Sequence, residues 1–325
     1  MQSITASCVM LLGLLALSAP LAQAQAQGYP ARTVRVIIGY PAGSGNDVIA
    51  RLVMSEVSKS FGQQFIIDNR PGASGNIGAE MVARSVPDGY TLLNAPGSIS
   101  ATQALVKQPT YDLLRDLEPV SVMASLPFIL VVHPSLPVQP AKALIAFAKA
   151  RPGQLTFASS GSGGLPHLTG ELFRIQAGLN LLHVPYKGTG QANLDVISGQ
   201  VSMIFTPAAS VMPHIRSGRL RALALTSSER LPSLPEVPTM AEAALPGFDS
   251  RNWVGLFAPR GVPAEAAARL NAEINRVVQT PAVRASFDNI GTEPMTGSVL
   301  HWQGYVRSEV AKWAKVIRTA RIEAQ

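Results

Sequence analysis

Short apolar runs alternate along this chain with stretches of helical spacing. Residues 34–38 form the first run, and a small-residue loop follows. Apolar positions at 48, 49, 52, 53 and 57 then mark one buried face of a helix starting near residue 47. A second strand is expected at 65–67 and a helix at 77–85, closed by the turn signature Pro87-Asp88-Gly89. A third strand is expected at 90–93. Strands and helices alternating in this way predict an α/β fold in which a mostly parallel sheet is flanked by helices.

The wholly apolar run 127–132 predicts a buried strand, and 141–150 an amphipathic helix. The alternation then resumes. Strands are expected at 155–158, 182–184, 201–205 and 220–226, with helices at 167–177, 191–198 and 208–217. The proline-rich stretch 230–246 reads as an ordered irregular connection. A strand at 253–258 and helices at 263–279 and 300–320 complete the pattern, and no fixed short period indicates a solenoid. The natural division is a first lobe of 27–125 plus 251–325 and a second lobe of 126–250. The chain would then cross twice between lobes, forming a hinge.

The N-terminus follows a different pattern. An apolar core at 9–17 precedes small residues offering Ala-x-Ala cleavage sites after Ala24 or Ala26, so 1–26 is expected to be a signal peptide. Its start lacks Lys and Arg, unlike the usual signal. The apolar core is too short for a span, which needs about twenty residues. The single cysteine, Cys8, lies ahead of that core and would leave with it, so the exported chain has neither a disulfide nor a thiol nucleophile. The net charge of +7 favours anions. The basic residues are scattered singly without aromatic platforms, which argues against nucleic acid.

Two loops carry the candidate chemistry. Residues 42–47 read Ala-Gly-Ser-Gly-Asn-Asp, with Gly43 and Gly45 giving access to backbone and Ser44 and Asn46 as donors at a helix start. Residues 159–167 read Ser-Ser-Gly-Ser-Gly-Gly-Leu-Pro-His, with Ser159, Ser160 and Ser162 hydroxyls, Gly163 and Gly164 amides, and His167 just inside the next helix. Unpaired N–H groups and the dipole make such helix starts suited to a carboxylate or phosphate. Ordinary helix capping explains either loop alone. Asp47 suits the helix dipole better than an anionic ligand. The five histidines lack metal-ligand spacing, and no phosphate-binding lysine motif or nucleophile elbow occurs. No metal and no cofactor are expected.

The segments taken together resemble the substrate-binding receptors of tripartite tricarboxylate transporters, the Bug-type periplasmic proteins. The resemblance is carried by residues 69–80, Asn-Arg-Pro-Gly-Ala-Ser-Gly-Asn-Ile-Gly-Ala-Glu, and by 87–93, Pro-Asp-Gly-Tyr-Thr-Leu-Leu. It continues through 184–188, Val-Pro-Tyr-Lys-Gly, through 213–218 and through 255–259. It implies a two-lobed clamshell in the periplasm that closes on a small organic carboxylate and delivers it, as a monomer, to inner-membrane permease subunits. It nominates Tyr40, Ala42, Gly43, Ser44 and Asn46 on one lobe, with Ser98 at the rim. On the other lobe it nominates Ser159, Gly163, Gly164 and His167, with Thr206 facing the distal end of the ligand. The family's first loop usually reads Gly-Gly-Ser-Thr-Asp, a hydroxyl residue is commoner at Gly164, and an aspartate is commoner at Thr206. Two alternatives remain open at this point. One is an exported serine hydrolase using Ser162 or Ser159 with His167, and the other a receptor presenting its ligand to a membrane sensor kinase.

Overall fold

The computed structural model describes residues 28–323. Its strands are β1 (Val34–Ile38), β2 (Phe65–Asn69), β3 (Thr91–Pro96), β4 (Leu117–Val132), β5 (Thr156–Ser159), β6 (Leu182–Pro185), β7 (Met203–Pro207), β8 (Arg221–Leu225), β9 (Arg251–Pro259) and β10 (Glu293–Pro294). They lie in the order β2-β1-β3-β9-β4-β7-β5-β6, with β8 and β10 also paired to β4.

The long strand β4 joins two sheets. Its residues 117–127 pair with β9, and Phe128 onward pairs with β7 and β8. The parallel pairs are β1–β2, β1–β3, β5–β6 and β5–β7, while every antiparallel pair includes β4 or β9. The sheets are therefore mixed, where mostly parallel ones were expected. Strands joined by crossover helices run parallel, whereas β9 runs against its neighbours β3 and β4 in the first sheet and β4 runs against β7 and β8 in the second. At the crossing Pro127 lies opposite Arg251.

Each sheet is covered by helices that bury an apolar face. Helix Gly45–Phe61 places Ile49, Val53 and Val57 against Val34, Val36 and Leu92 of the first sheet, together with Leu270 and Ile274 of helix Ala264–Val277. In the second sheet Phe157, Met203 and Phe205 pack with Leu168, Leu172 and Phe173 of helix Leu165–Ala177. Helix Val299–Ala320 contributes to both cores. Trp302 and Val306 pack with Trp253 and Phe257 on the first sheet, and Trp313, Val316 and Ile317 join Phe157 and Phe205 on the second. The first half of this helix thus lies against the first sheet and its second half against the second.

Several short elements escaped the sequence pattern. Ile99–Leu105, Leu113–Asp116 and Met240–Ala243 are helical, and Pro281–Asn289 is a helix of its own. Among the described residues no helix is long and apolar enough to cross a membrane.

Candidate functional site

A cleft of about 1040 Å³ opens between the two sheets. Its first wall is built where β1 ends and the chain turns through 39–44 into helix Gly45–Phe61. Ser44 caps that helix, its hydroxyl accepting from the Asp47 N–H at 3.4 Å. Asp47 faces away from the cleft and secures the loop from behind. Its Oδ2 accepts from the Gly43 N–H and from Arg51 Nε, both at 2.9 Å, and its Oδ1 accepts from Asn69 Nδ2 at 2.9 Å. Burial alone would raise this carboxyl, but the Arg51, Gly43 and Asn69 hydrogen bonds outweigh it and hold it below the usual carboxylate range. The same Asn69 amide donates to the Tyr40 carbonyl at 3.0 Å, so one buried anion organises the whole turn.

Tyr40 Oη donates to the Ser74 carbonyl at 2.9 Å and lies 3.4 Å from Ser98 Oγ. Its ring rests on Gly75, where φ is 94° and a Cβ would come within 2.9 Å of the ring, so only glycine admits this packing. Asn46 lines the cleft at 8 % exposure; its Nδ2 lies 3.4 Å from the Asn94 carbonyl and its Oδ1 has no partner. A ligand or a bridging water would satisfy that atom.

The second wall is the loop between β5 and helix Leu165–Ala177, whose N-cap is Gly164. Gly161 and Gly163 hold positive φ of 140° and 76°, which turns the chain so that residues 160–167 line the cleft. His167 Nδ1 accepts from the Gly163 N–H at 3.0 Å. Its ring stacks on His183 with centroids 3.8 Å apart, and His183 Nε2 lies 2.7 Å from Ser159 Oγ. Burial, aided by Arg174, pushes His167 down to about 4; burial and His167 push His183 down to about 4. Both rings are neutral near pH 7.

The walls meet. A Cβ built on Gly163 would lie 3.2 Å from Leu105 Cδ1, at the end of helix Ile99–Leu105. Ser98 opens that helix, and the preceding Gly97 N–H donates to the Trp253 carbonyl at 2.7 Å and to Asn252 Oδ1 at 3.1 Å. The crossing strands contribute Leu126, Phe128 and Val254 to the lining.

The structure thus brings Tyr40, Ser44, Asn46, Ser98, Gly163, Gly164 and His167 to one cleft. Ala42 and Gly43 lie outside its lining and shape the loop. Two nominated side chains point elsewhere. Ser159 is fully buried, with its hydroxyl engaged by His183 and by the Gly161 carbonyl at 3.1 Å. Thr206 is 1 % exposed, its Oγ1 lying 3.1 Å from Ser210 Oγ, and Pro207 lines the cleft in its place. The serine-hydrolase alternative loses its geometry, because Ser159 faces His183 and the Nδ1 of His167 is occupied by the Gly163 N–H. Sequence reasoning missed Leu105, Val106, Asn252, Ile322 and Glu323, which come from a helix too short to show periodicity and from segments distant in the chain. A second depression of about 730 Å³ on the outer face has its cations already paired, Arg51 with Asp47 and Lys59 with Glu56.

Two mixed sheets joined at a crossing, with helix starts from both facing a shared cleft, define a two-lobed solute-binding receptor of the periplasmic type. The comparisons with known proteins agree. The chain belongs to the tripartite tricarboxylate transporter receptor family, whose pattern matches residues 49–322. It is 39 % identical to the protein BugT of Bordetella pertussis over 299 residues, covering 91 % of this chain and 92 % of BugT. Among solved structures it is similar to Rpa4515 of R. palustris with adipate, at 37 % identity and a TM-score of 0.73, covering 91 % of this chain and 99 % of that one. It is also similar to MatC of Rhodopseudomonas palustris with bound malate, at 31 % identity and a TM-score of 0.69, covering 89 % of this chain and 100 % of that one. The family is one of receptors that bind solutes, not of enzymes.

Proposed function

We propose that the protein is exported with cleavage of its signal peptide, captures a small organic carboxylate between its lobes in the periplasm, and hands it to tripartite tricarboxylate-type permease subunits. The observation carrying this reading is that the Ser44 and Gly164 helix starts, one from each sheet, face the same cleft. A carboxylate there would accept from backbone N–H groups and hydroxyls of both walls and would favour their approach. The neighbours bound to adipate and malate support the ligand class.

In this reading Tyr40, Ser44, Asn46 and Ser98 hold the ligand from one side, and Gly163, Gly164 and His167 from the other. The lobes are 27–125 with 251–325, and 126–250, closing as a monomer about the β4 and β9 crossing. The tail helix belongs to the first lobe by sequence and anchors its far end in the second.

Native mass spectrometry of the purified protein, followed by calorimetric titration with a carboxylate panel after refolding, tests the binding. A bound acid, and heat on its return, are expected; silence across the panel from a folded protein would overturn the reading. Uptake of the identified acid by cells lacking the gene tests delivery and should be lost.

A further inference from the structure

We propose that Asn252 is a specificity-determining residue of the receptor, presenting an amide donor from the crossing strand β9 to an acceptor oxygen of the bound acid. This rests on the carboxylate-receptor reading above and adds a contact that belongs to neither helix start.

The strand register places the side chain. Asn252 lies opposite Leu126 of β4, and Val254 opposite Ala124. Residues directly opposite one another share a face of the sheet and successive ones alternate, so Leu126, Phe128, Asn252 and Val254 fall on the face that lines the cleft. Arg251 and Trp253 take the reverse face. Arg251 donates to Asp249 Oδ1 at 2.9 Å and to Ser228 Oγ at 2.7 Å, and Trp253 packs on Phe257 and Tyr305. Of the four side chains that β4 and β9 bring to the cleft, Asn252 alone is polar.

Chemistry fixes which end of the amide is free. The Gly97 N–H can only donate, so the side-chain atom 3.1 Å from it is Asn252 Oδ1. Nδ2 is then the end turned away from the Gly97 turn, and among the described residues no protein group accepts from it. Asn252 is half-buried, so this donor is partly withdrawn from bulk water while open to the cleft. A carboxylate, carbonyl or hydroxyl oxygen placed there would gain a hydrogen bond, the strongest with a carboxylate. An acid that put only hydrocarbon there would strip Nδ2 of water and return nothing. The residue therefore discriminates among acids by where their oxygens lie.

This role is separable from support of the rim. The Gly97 N–H also donates to the Trp253 carbonyl, at the shorter distance of 2.7 Å, so losing Oδ1 leaves the turn before Ser98 with a partner. Leucine nearly matches asparagine in shape and would sit beside the apolar Leu126 and Val254.

The test is calorimetric titration of the full-length protein, freed of co-purified ligand, near neutral pH with adipate, malate, citrate, hexanoate and benzoate. For the acid that binds most tightly, Asn252→Leu should weaken binding at least ~10-fold while leaving the melting temperature within a few degrees. Asn252→Asp keeps an oxygen for the Gly97 N–H but turns the donor into an anion, and should weaken binding further. Asn252→Ala, expected to show the same loss, serves if the first variant does not fold. In a proton–nitrogen correlation spectrum, the side-chain amide pair missing from the Asn252→Leu protein should shift when the acid is added, a response that support of the rim alone would not give. Affinity within about twofold in the folded Asn252→Leu or Asn252→Ala protein, or an amide pair that stays in place, would overturn the inference and leave the receptor reading intact. Failure of all five acids to bind the folded natural sequence would overturn both.

Discussion

His167 and His183 lie ring on ring, 3.8 Å between centroids and 17° from parallel, beneath the second loop. Phe157 extends the stack at 4.9 Å from His183. His167 fixes Gly163, His183 fixes Ser159, and through them the two ends of the loop are tied to one aromatic column.

This column should make stability depend on pH. Both histidines are held down to about 4, whereas an unfolded histidine titrates near ~6.5. Between those values the unfolded chain binds more protons, so the contribution is complete above about pH 6.5 and is lost as pH falls toward 4. Glu293, raised by burial to about 6, acts in the opposite sense over part of that window. One group against two leaves a net loss on acidification. Melting by circular dichroism should give a midpoint several degrees lower near pH 4.5 than near pH 7. The double variant His167→Gln/His183→Gln should flatten that dependence; an unchanged slope would remove the histidines as its source.

Asp47→Asn should loosen the first loop. The substitution leaves Arg51 without its anion and removes the acceptor charge that holds the Gly43 N–H. A loss of about 2–3 kcal/mol in urea unfolding is expected for a buried, multiply bonded carboxylate. Ligand affinity should fall as well, although Asp47 lies outside the cleft lining. Unaltered affinity would mean that the loop is held by Ser44 and Tyr40 without it.

Ser159→Ala separates a supporting serine from a ligand-contacting one. Removing its hydroxyl deprives His183 Nε2 of its partner, at a cost of about 1–2 kcal/mol in stability. Calorimetry should show ligand affinity changed by less than about threefold, whereas Ser44→Trp should abolish binding. A large affinity loss in the folded Ser159 variant would return that residue to the binding surface.

Gly163→Val should be costly twice over. Its φ of 76° disfavours a branched side chain, and a Cβ meets Leu105 at 3.2 Å. A destabilisation of about 1–2 kcal/mol is expected with ligand affinity reduced at least ~10-fold. Trimming Leu105 to Ala in the same chain should recover part of the affinity, because it removes the clash and leaves the backbone strain.

Trp313→Ala should unseat the tail helix from the second core. Trp313 is fully buried and donates from Nε1 to Glu309 at 3.1 Å. Loss of about 3–5 kcal/mol is expected from the cavity. If the helix couples the lobes, chemical unfolding of the variant should split into two transitions; a single transition would show that the lobes are coupled without it.

The sequence pattern located most elements because apolar periodicity and glycine-bearing loops are local signals. The run 34–38 coincides with β1, and 208–217 differs by one residue from helix Ala208–Arg216. β4 was seen only in its second half, because Glu118, Pro119, Ser121 and Ser125 interrupt the apolar run in 117–126. Their burial comes from β9 and β10, which lie far along the chain. The candidate loops were legible for the same local reason. The direction of Ser159 was not, since it depends on His183 lying opposite it on a neighbouring strand. Nor did the composition of 99–105 or 322–323 announce that these residues border the cleft.

Gly97 has one more consequence. It precedes Ser98 at the rim of the cleft, and a Cβ there would come within 2.7 Å of Trp253 Nε1, so the indole lies directly beneath the turn. All three tryptophans of the chain are buried, Trp253 and Trp302 in the first sheet's core and Trp313 in the second's. The molecule therefore carries its own optical gauge. Trp253 is the one of the three that underlies the rim, so a change in the unlabelled protein's ultraviolet emission when the cleft fills would come from that indole.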